Sequence, residues 1–177
     1  MRSNTIVLVL ATTTTGLVAG VFYGFSVAVN PGFARLPDPA YIAGMQAINQ
    51  VIQNPVFAAS FFGAPIFLPL AAVLHARRAW SRRFTLLVCA SAIYLIGGLG
   101  VTVAANIPLN ETLAQFPLRT ASSEQAATAR TRFAGPWNKW HDIRTLASTV
   151  SLVLSICACL SADPARPSQA EETNEVL

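Results

Sequence analysis

Residues 5–29 read TIVLVLATTTTGLVAGVFYGFSVAV, and this stretch decides the class of fold. No residue in it is charged, and a helix needs only about 20 apolar residues to cross a bilayer. A secretory signal peptide is the competing interpretation. Its apolar core would have only about 7–15 residues, and its start would normally be more basic than a lone Arg2. We therefore predict a retained first membrane span.

Three further apolar runs predict an all-α fold, an integral membrane four-helix bundle. The spans are expected at about 5–29, 55–75, 84–106 and 143–162. Only 11% of the residues are charged and 53% are hydrophobic, whereas a soluble domain carries about 25% charged residues. Residues 1–162 are expected to form a single transmembrane domain, followed by a disordered tail at 163–177.

The connections between the spans carry turn and helix-start signals. Asn30-Pro31-Gly32 is expected to end the first helix, because proline disfavours helix in the residue before it. Pro37-Asp38-Pro39 predicts a new helix that is too short and too polar to cross, and is therefore expected to lie at the interface. Residues 107–136 are expected to be largely a polar loop, and Pro136 to open the fourth helix.

The distribution of charged and small residues predicts how the bundle is oriented in the membrane and what it contacts. Four of the 12 Lys and Arg residues lie at 76–83, which predicts that this loop and both termini are cytoplasmic. The net charge of +4 therefore indicates membrane topology, and no nucleic-acid partner is expected. Gly16, Gly20 and Gly24 give the first helix a smooth face suited to close helix packing and to a homo-oligomer within the lipid bilayer.

The cysteines and histidines do not form a recognisable metal site. Cys89, Cys157 and Cys159 lie in apolar runs and are expected to be small buried residues without a disulfide framework. His75 and His141 are expected at opposite ends of the bundle, and no Cys or carboxylate has ligand spacing to either. No metal or other cofactor is predicted. A haem with His141 as axial ligand, or a flavin, stays open as an alternative.

Residues 136–144, PWNKWHDIR, concentrate more functional chemistry than any other stretch of the chain. On a helix Trp137, Trp140, His141 and Arg144 fall at i, i+3, i+4 and i+7, which predicts one shared face. Trp and Arg are also common as interface anchors, but an anchoring belt does not require one face.

A stripe of serines continues that face into the membrane. Ser148, Ser151 and Ser155 follow Arg144 on the same side of the helix. Polar groups at that depth are expected to face the bundle interior or a cavity. The alternative is that they are helix-packing contacts, in which small hydroxyl residues are also common.

Asn106-Ile107-Pro108-Leu109-Asn110 ends the third span at the same membrane level. Antiparallel topology is expected to bring this corner against the start of the fourth span. The two segments therefore predict two halves of one pocket.

The motifs together resemble the anthrone oxygenase-like family of four-span integral membrane proteins. The resemblance covers residues from about 12 to 162. It rests on Gly20-Val21-Phe22-Tyr23-Gly24-Phe25-Ser26 with Pro31, Met45-Gln46-Ala47-Ile48-Asn49, Asn106-Ile107-Pro108-Leu109-Asn110 and Trp137-Asn138-Lys139-Trp140-His141-Asp142-Ile143-Arg144.

This resemblance implies insertion of an oxygen atom from O2 into a small, flat aromatic substrate such as an anthrone, without an obvious metal or flavin. An anthrone has an acidic CH2 group, so the protein needs a base, a positive group near the developing oxyanion and an apolar slot. His141 is the expected base, and Arg144 with Asn106 or Asn110 is expected to donate to the oxyanion. Catalytic roles are thus predicted for His141, Arg144 and Asn110, and substrate contacts for Trp137, Trp140, Asn106 and Pro108.

Two other functions fit the same residues. A non-catalytic membrane protein could bind a quinone, a lipid or a partner helix through this pocket without proton chemistry. A subunit of a transporter or assembly complex would use the small-residue face of the first helix. O2 uptake with an anthrone distinguishes the oxygenase from both.

Overall fold

The structure, a computed structural model, describes residues 2–76 and 81–161, and the regular elements in this part of the chain are all helices. Three segments are π-helical, with backbone hydrogen bonds that span one residue more than those of an α-helix. In chain order the elements are α1 (Arg2–Gly24), π1 (Phe25–Val29), α2 (Asn30–Phe33), α3 (Asp38–Val51), α4 (Pro55–His75), α5 (Arg82–Ile93), π2 (Tyr94–Gly100), π3 (Thr102–Asn106), α6 (Ile107–Ala114) and α7 (Ser123–Leu160). The predicted all-α bundle is confirmed.

Four of the helices are long and apolar enough to cross a membrane, as expected of a multi-pass membrane protein. They are Ser3–Phe33, Pro55–His75, Arg82–Ala114 and Ser123–Leu160, here called spans 1 to 4. The predicted arginine loop lies partly, and the predicted tail entirely, outside the described residues. The side on which the loop and the termini lie stays a prediction.

One hydrophobic core holds the four spans together. Side chains from each span meet in it, including Val18 of span 1, Leu68 of span 2, Leu87 of span 3 and Ala158 of span 4. Large apolar residues also point outward, and Leu146 of span 4 is 66% exposed. An apolar exterior of this kind suits lipid, since a soluble bundle would expose it to water.

A second core forms at one end of the bundle, where α3 lies across α6 and the first turns of α7. We call these three segments the cap. Tyr41, Ile42 and Met45 of α3 pack there with residues of α6 and α7, including Trp137. Gln46 Nε2 also donates to the carbonyl oxygen of Leu113 at 2.8 Å. The short helix predicted between spans 1 and 2 is therefore present, and it begins at Asp38.

Arg130 of α7 fastens the cap to the turn between α2 and α3. Its Nη1 donates to the Leu36 carbonyl and to Asp38 Oδ1, both at 2.8 Å, and its Nη2 donates to the Ala34 carbonyl at 2.9 Å. The guanidinium also lies 4.5 Å from the centroid of the Tyr41 ring. Burial raises the pKa of Tyr41, and the nearby Arg130 charge opposes that rise.

The predicted polar loop at 107–136 is wrong, because most of it is helical. Span 3 continues as α6, and α7 begins at Ser123 and runs for 38 residues with Pro136 inside it. The start of α7 is fixed by a capping box. Ser122 Oγ accepts from the Gln125 N–H at 3.2 Å, and Gln125 Oε1 accepts from the Ser122 N–H at 2.8 Å. Two helix-end donors are thus satisfied well before Pro136.

The predicted end of the first helix at residues 30–32 is also wrong, since span 1 continues to Phe33. The Asn30 N–H bonds the carbonyl of Phe25, five residues back, so π1 widens the helix just before Pro31. Pro31 then occupies the first turn of α2, where a missing N–H costs least.

The cysteines also differ from the prediction. Cys89 and Cys159 are exposed and Cys157 is half-buried, and none of the three forms a disulfide. Each lies on a helix with an apolar exterior, where a weakly polar thiol is compatible with lipid.

Candidate functional site

Trp137, His141 and Arg144 lie together on the buried face of α7, with exposed fractions of 1%, 0% and 8%. The Trp137 and His141 rings are nearly parallel, with centroids 4.8 Å apart and an interplanar angle of 8°. Phe133, one turn earlier, stacks on Trp137 with centroids 5.9 Å apart. The helical spacing predicted this grouping, and the structure brings these three of the four residues together.

Trp140 lies apart from this cluster. Its side chain is 37% exposed, and Lys139 Nζ lies 5.9 Å from the centroid of its ring. Successive residues of an α-helix are rotated by about 100°. Trp140, three residues after Trp137, therefore falls about 60° to one side of it, and His141 falls about 40° to the other side. The predicted substrate contact at Trp140 therefore does not join the other three residues.

The hydrogen bonds of His141 define its protonation. Its Nε2 lies 3.1 Å from the carbonyl oxygen of Phe22, which can only accept, so Nε2 carries the proton. Its Nδ1 accepts from Arg144 Nε at 3.2 Å and from Arg144 Nη2 at 3.0 Å. His141 is thus a neutral imidazole whose one lone pair is covered by a guanidinium.

Arg144 is a buried cation without an acidic partner. Its Nη1 donates to Thr102 Oγ1 at 3.4 Å, and its Cζ lies 4.3 Å from the Phe22 ring centroid and 5.2 Å from that of Trp137. No carboxylate of residues 2–76 or 81–161 forms an ion pair with it. A charge in this setting is costly unless an anion compensates it. The site is therefore electrostatically suited to an anionic ligand.

Asn106 and Asn110 both contact Trp137, as the predicted corner requires. Asn110 Oδ1 accepts from Trp137 Nε1 at 2.7 Å, and Asn106 Nδ2 donates to the Trp137 carbonyl at 3.2 Å. Asn106 Oδ1 is buried without a partner. Because the Trp137 carbonyl engages the Asn106 amide nitrogen, the free atom of Asn106 is an acceptor. The expected role of Asn106 as a donor to an oxyanion therefore does not fit this arrangement.

Pro108 does not reach the cluster. It is exposed in the first turn of α6, and its carbonyl accepts from Thr112 Oγ1 at 2.9 Å. Its contribution is to the helix start, where proline fits because its N–H is not needed. The asparagines form the predicted second half of the site without it.

The serine stripe faces the interior of the bundle, with Ser148, Ser151 and Ser155 each fully buried. Ser151 Oγ donates to the Ala90 carbonyl at 3.0 Å, and Ser155 Oγ donates to the Leu152 carbonyl at 2.8 Å. Ser148 Oγ has no partner. Two of the serines are therefore structural, and the third is not explained by packing.

Two residues against Arg144 were not predicted from the sequence. Phe22 supplies its ring to the guanidinium and its carbonyl to His141. Thr102 accepts from Arg144 while its own hydroxyl donates to the Gly98 carbonyl at 2.7 Å. Neither residue type indicates chemistry by itself, so only the fold could identify them.

The π-helical segments all pack against α7 beside this cluster. Phe22 lies three residues before the start of π1, Gly98 lies in π2, and Thr102 and Asn106 lie in π3. Single π turns inside membrane helices are frequent at functional sites, because they displace side chains and carbonyls from the regular ladder. The glycines at 97, 98 and 100, all within π2, are the only signal of this departure that the sequence of span 3 offers.

An apolar groove of about 570 Å³ lies elsewhere, between α1, the second half of α3 and the start of α4. Its walls include Leu17, Val21, Ile52 and Phe57, and no residue of the polar cluster lines it. This hydrophobic cleft is therefore separate from the charged site.

The described residues contain no group of three or more His, Cys, Asp or Glu side chains that could hold a metal ion. His75 is half-buried at the other end of the bundle, and its Nδ1 lies 2.8 Å from the Ala71 carbonyl. Both ring nitrogens of His141 have partners. Ligation of a haem iron by His141 would require one of these contacts to break.

A family model described as anthrone oxygenase matches residues 55–154, which is 100 of the 177 residues. No curated protein and no solved structure gives a significant match. The matched region includes Asn106, Asn110 and the segment from Trp137 to Arg144, whereas the motifs at 20–26 and 45–49 lie before it. With four membrane-length helices and the site residues within the matched range, this chain belongs to the anthrone oxygenase family.

Proposed function

We propose that this protein is a membrane-embedded oxygenase that converts a flat aromatic ketone of the anthrone type to the quinone with O2. Membership of the family supports the reaction class. The substrate is an apolar molecule that partitions into lipid, which agrees with a site built inside a membrane-length bundle.

The observation that carries the proposal is the uncompensated charge of Arg144. An anthrone becomes reactive toward O2 when its CH2 group loses a proton, and the resulting negative charge spreads to the carbonyl oxygen. A guanidinium that is buried among the rings of Phe22 and Trp137 would bind that oxygen strongly, because little water screens it. Arg144 would therefore stabilise the anion more than the neutral ketone.

The reaction balances without an external reductant. The methylene carbon loses a proton, and its electron pair forms a bond to O2. The peroxide anion takes up a proton, and the hydroperoxide then loses water to leave a second carbonyl. Anthrone and one O2 thus give one quinone and one water, and the substrate itself supplies all four electrons. The proposed reaction therefore needs no resident cofactor.

His141 is the base in this proposal, but Arg144 must move first. The Nδ1 atom is the proton acceptor, and in the resting arrangement it already accepts from the guanidinium. When Arg144 turns to the carbonyl oxygen of the substrate, it uncovers Nδ1. The proton taken by Nδ1 would later pass to the peroxide anion. Binding of the ketone and activation of the base would thus be coupled through one side chain.

Trp137 is better suited to holding His141 than to stacking on substrate. Phe133 lies one turn before it and His141 one turn after it, both stacked on the indole. Its Nε1 is bonded to Asn110, which fixes the plane of the ring. We therefore propose Trp137 and Asn110 as positioning residues. The ring of the substrate would meet Phe22 and Phe25, which also contact His141.

The test is to supply an anthrone to membranes containing the protein and to follow O2 uptake and quinone absorbance together. We expect one O2 consumed for each quinone formed, with no dependence on added reductant. Membranes without the protein measure the spontaneous oxidation of the anthrone. Rates equal to that background would rule out the oxygenase.

A binding protein without catalysis is the second candidate, and the apolar groove favours it. A cleft of about 570 Å³ falls within the usual range for small-molecule sites, about 300–1,000 Å³. It could hold a lipid chain or a quinone without using the polar cluster. In that case a quinone would raise the melting temperature of the protein while the anthrone gave no O2 uptake above background.

A further inference from the structure

Ser148 has a hydroxyl that the fold does not use. Within residues 2–76 and 81–161 it is the sole serine or threonine whose fully buried hydroxyl has no hydrogen-bond partner. Several other helical serines and threonines of the bundle donate to the carbonyl four residues back, as Thr15, Ser91 and Thr145 do at 2.6–2.7 Å. The corresponding acceptor for Ser148 is the carbonyl of Arg144, and that bond is not made.

The position of Ser148 relates it directly to the site. It follows Arg144 by four residues on the same buried face, which places it about 6 Å further along the helix axis. Across from Arg144 lies Thr102, and across from Ser148 lies Gly98, one turn before Thr102. A Cβ on Gly98 would come within 3.3 Å of Ser148 Oγ. Glycine therefore lets the backbone of span 3 pack closely against this hydroxyl without offering it a side-chain partner.

An unpaired hydroxyl in an apolar core destabilises the unliganded protein. Ser151, one turn further along, shows that a serine on this face can find a partner across the interface in the Ala90 carbonyl. Departures from local rules, such as a buried polar atom without a partner, are often found at functional positions. The free hydroxyl of Ser148 is thus available for a ligand.

We propose that Ser148 is a further substrate-contacting residue, which donates to the peroxide that forms at the CH2 carbon while Arg144 holds the original carbonyl oxygen. This inference rests on the proposed oxygenase function. In an anthrone the carbonyl carbon and the CH2 carbon are opposite members of the central ring, so the new oxygen forms on the side away from Arg144. Long helical side chains lead toward the N-terminus, and the Arg144 guanidinium accordingly lies beside His141 and Trp137. The guanidinium and the Ser148 hydroxyl are therefore displaced from each other along the same face of α7, as the two reacting ends of one ring require.

The chemical role of the hydroxyl is to stabilise charge. When the carbanion gives its electron pair to O2, a C–O bond forms and the outer oxygen becomes anionic. The Ser148 O–H donates a hydrogen bond to this peroxide oxygen and is not consumed. His141 then delivers the proton, and water leaves. Since the hydrogen bond strengthens as charge develops, its loss should reduce kcat more than it raises KM.

The experiment compares Ser148→Ala with Ser151→Ala in the full-length protein. Both variants remove one fully buried hydroxyl from the same helix face, but only Ser151 bonds the protein. We expect Ser148→Ala to keep or raise the melting temperature and to lower kcat for an anthrone about 10-fold or more, with KM within about threefold. Ser151→Ala should lower the melting temperature and keep kcat within about threefold of the parent.

Two outcomes would overturn the role of Ser148. One is a Ser148→Ala variant with undiminished kcat, and the other is a variant whose loss of activity follows a loss of stability like that of Ser151→Ala.

A second measurement separates this result from failure of the oxygenase function. Quinone product should raise the melting temperature of the parent protein more than that of Ser148→Ala. If the parent shows that stabilisation without turnover, the oxygenase proposal fails while the contact stands. If quinone stabilises both proteins equally, the contact fails.

Discussion

Single residues set the chemistry of this bundle, and Arg144 matters most because its buried positive charge has no carboxylate partner among the described residues. Its guanidinium is buried against two aromatic rings and bonded to a neutral imidazole and a hydroxyl. Such contacts orient the group but do not neutralise it. An anion brought to this position would gain attraction without displacing a competing carboxylate.

The bond between Trp137 and Asn110 gives a prediction at this scale. Trp137→Phe keeps a ring but removes the Nε1 donor and leaves Asn110 Oδ1 unpaired. We expect a loss of about 1–2 kcal/mol in stability, measured by denaturant unfolding in detergent, because a part-buried partner is orphaned. The His141 ring should also become less well held, so kcat should fall.

Trp140→Phe is the matched control, since Trp140 is 37% exposed. We expect it to change stability by less than about 0.5 kcal/mol and to keep kcat. Equal effects of the two substitutions would contradict the positioning role of Trp137.

The sequence predicted part of this residue-scale picture. Helical periodicity was enough to group Trp137, His141 and Arg144. It could not show that Trp140 leaves the group, because the boundary of a buried face depends on what packs against it. It also could not orient the amide of Asn106, which is decided by a carbonyl 31 residues away.

At the scale of elements, the π-helical segments place residues of spans 1 and 3 against α7. Thr102 and Asn106 of π3 both bond residues of α7, and the Phe22 carbonyl at the end of α1 bonds His141. Hydropathy located these spans, since a bilayer needs only length and apolar character. It carries no information on where a helix widens by one residue.

The start of α7 also differs from the sequence-based prediction. Residues 107–136 look polar and small, which favours a loop, but Ser122 and Gln125 are three residues apart in a capping box. That pair indicates a helix start at Ser122, whereas the composition of the segment and Pro136 favoured a loop up to residue 136. The helix tolerates Pro136 because tertiary packing of its apolar face stabilises it on both sides.

A glycine of π2 gives the prediction at the element scale. A Cβ at Gly97 would lie 2.5 Å from the Cβ of Ala147, so Gly97→Ala must push π2 away from α7. We expect a stability loss of about 1–3 kcal/mol, as for other overpacked sites, and a loss of activity because Thr102 moves from Arg144.

Gly20→Ala is the control for that substitution, since a Cβ there meets nothing within 4 Å. Denaturant unfolding should give the control the stability of the parent protein. A Gly97→Ala variant with the stability and activity of the parent protein would mean that the close approach of π2 to α7 is not needed. Homo-oligomer formation through the face of Gly16, Gly20 and Gly24 stays a separate prediction.

At the scale of the whole molecule, two other arginines bind backbone carbonyls at opposite ends of the bundle. At the cap end, Arg130 binds the turn between α2 and α3. At the other end, Arg83 donates to the Ala158 carbonyl at 3.0 Å and also to the Ser161 carbonyl. Arg144 lies between these two ends, and its guanidinium donates to His141 and Thr102 but to no backbone carbonyl of the described residues. Its charge is therefore available for function, whereas Arg130 and Arg83 are used by the fold.

Charge removal at two positions of α7 tests this distinction most directly. Arg144→Gln and Arg130→Gln each replace one arginine by a neutral residue of similar length. The measurement is the rate of quinone formation from an anthrone, with O2 uptake followed in parallel and the melting temperature recorded for each variant. We expect Arg144→Gln to lower kcat about 10²–10³-fold while the protein stays folded, as loss of an oxyanion donor does. Arg130→Gln should lower the melting temperature and leave kcat of the folded protein within about threefold of the parent. An Arg144→Gln variant that forms quinone at the parental rate would contradict the central role of the buried cation.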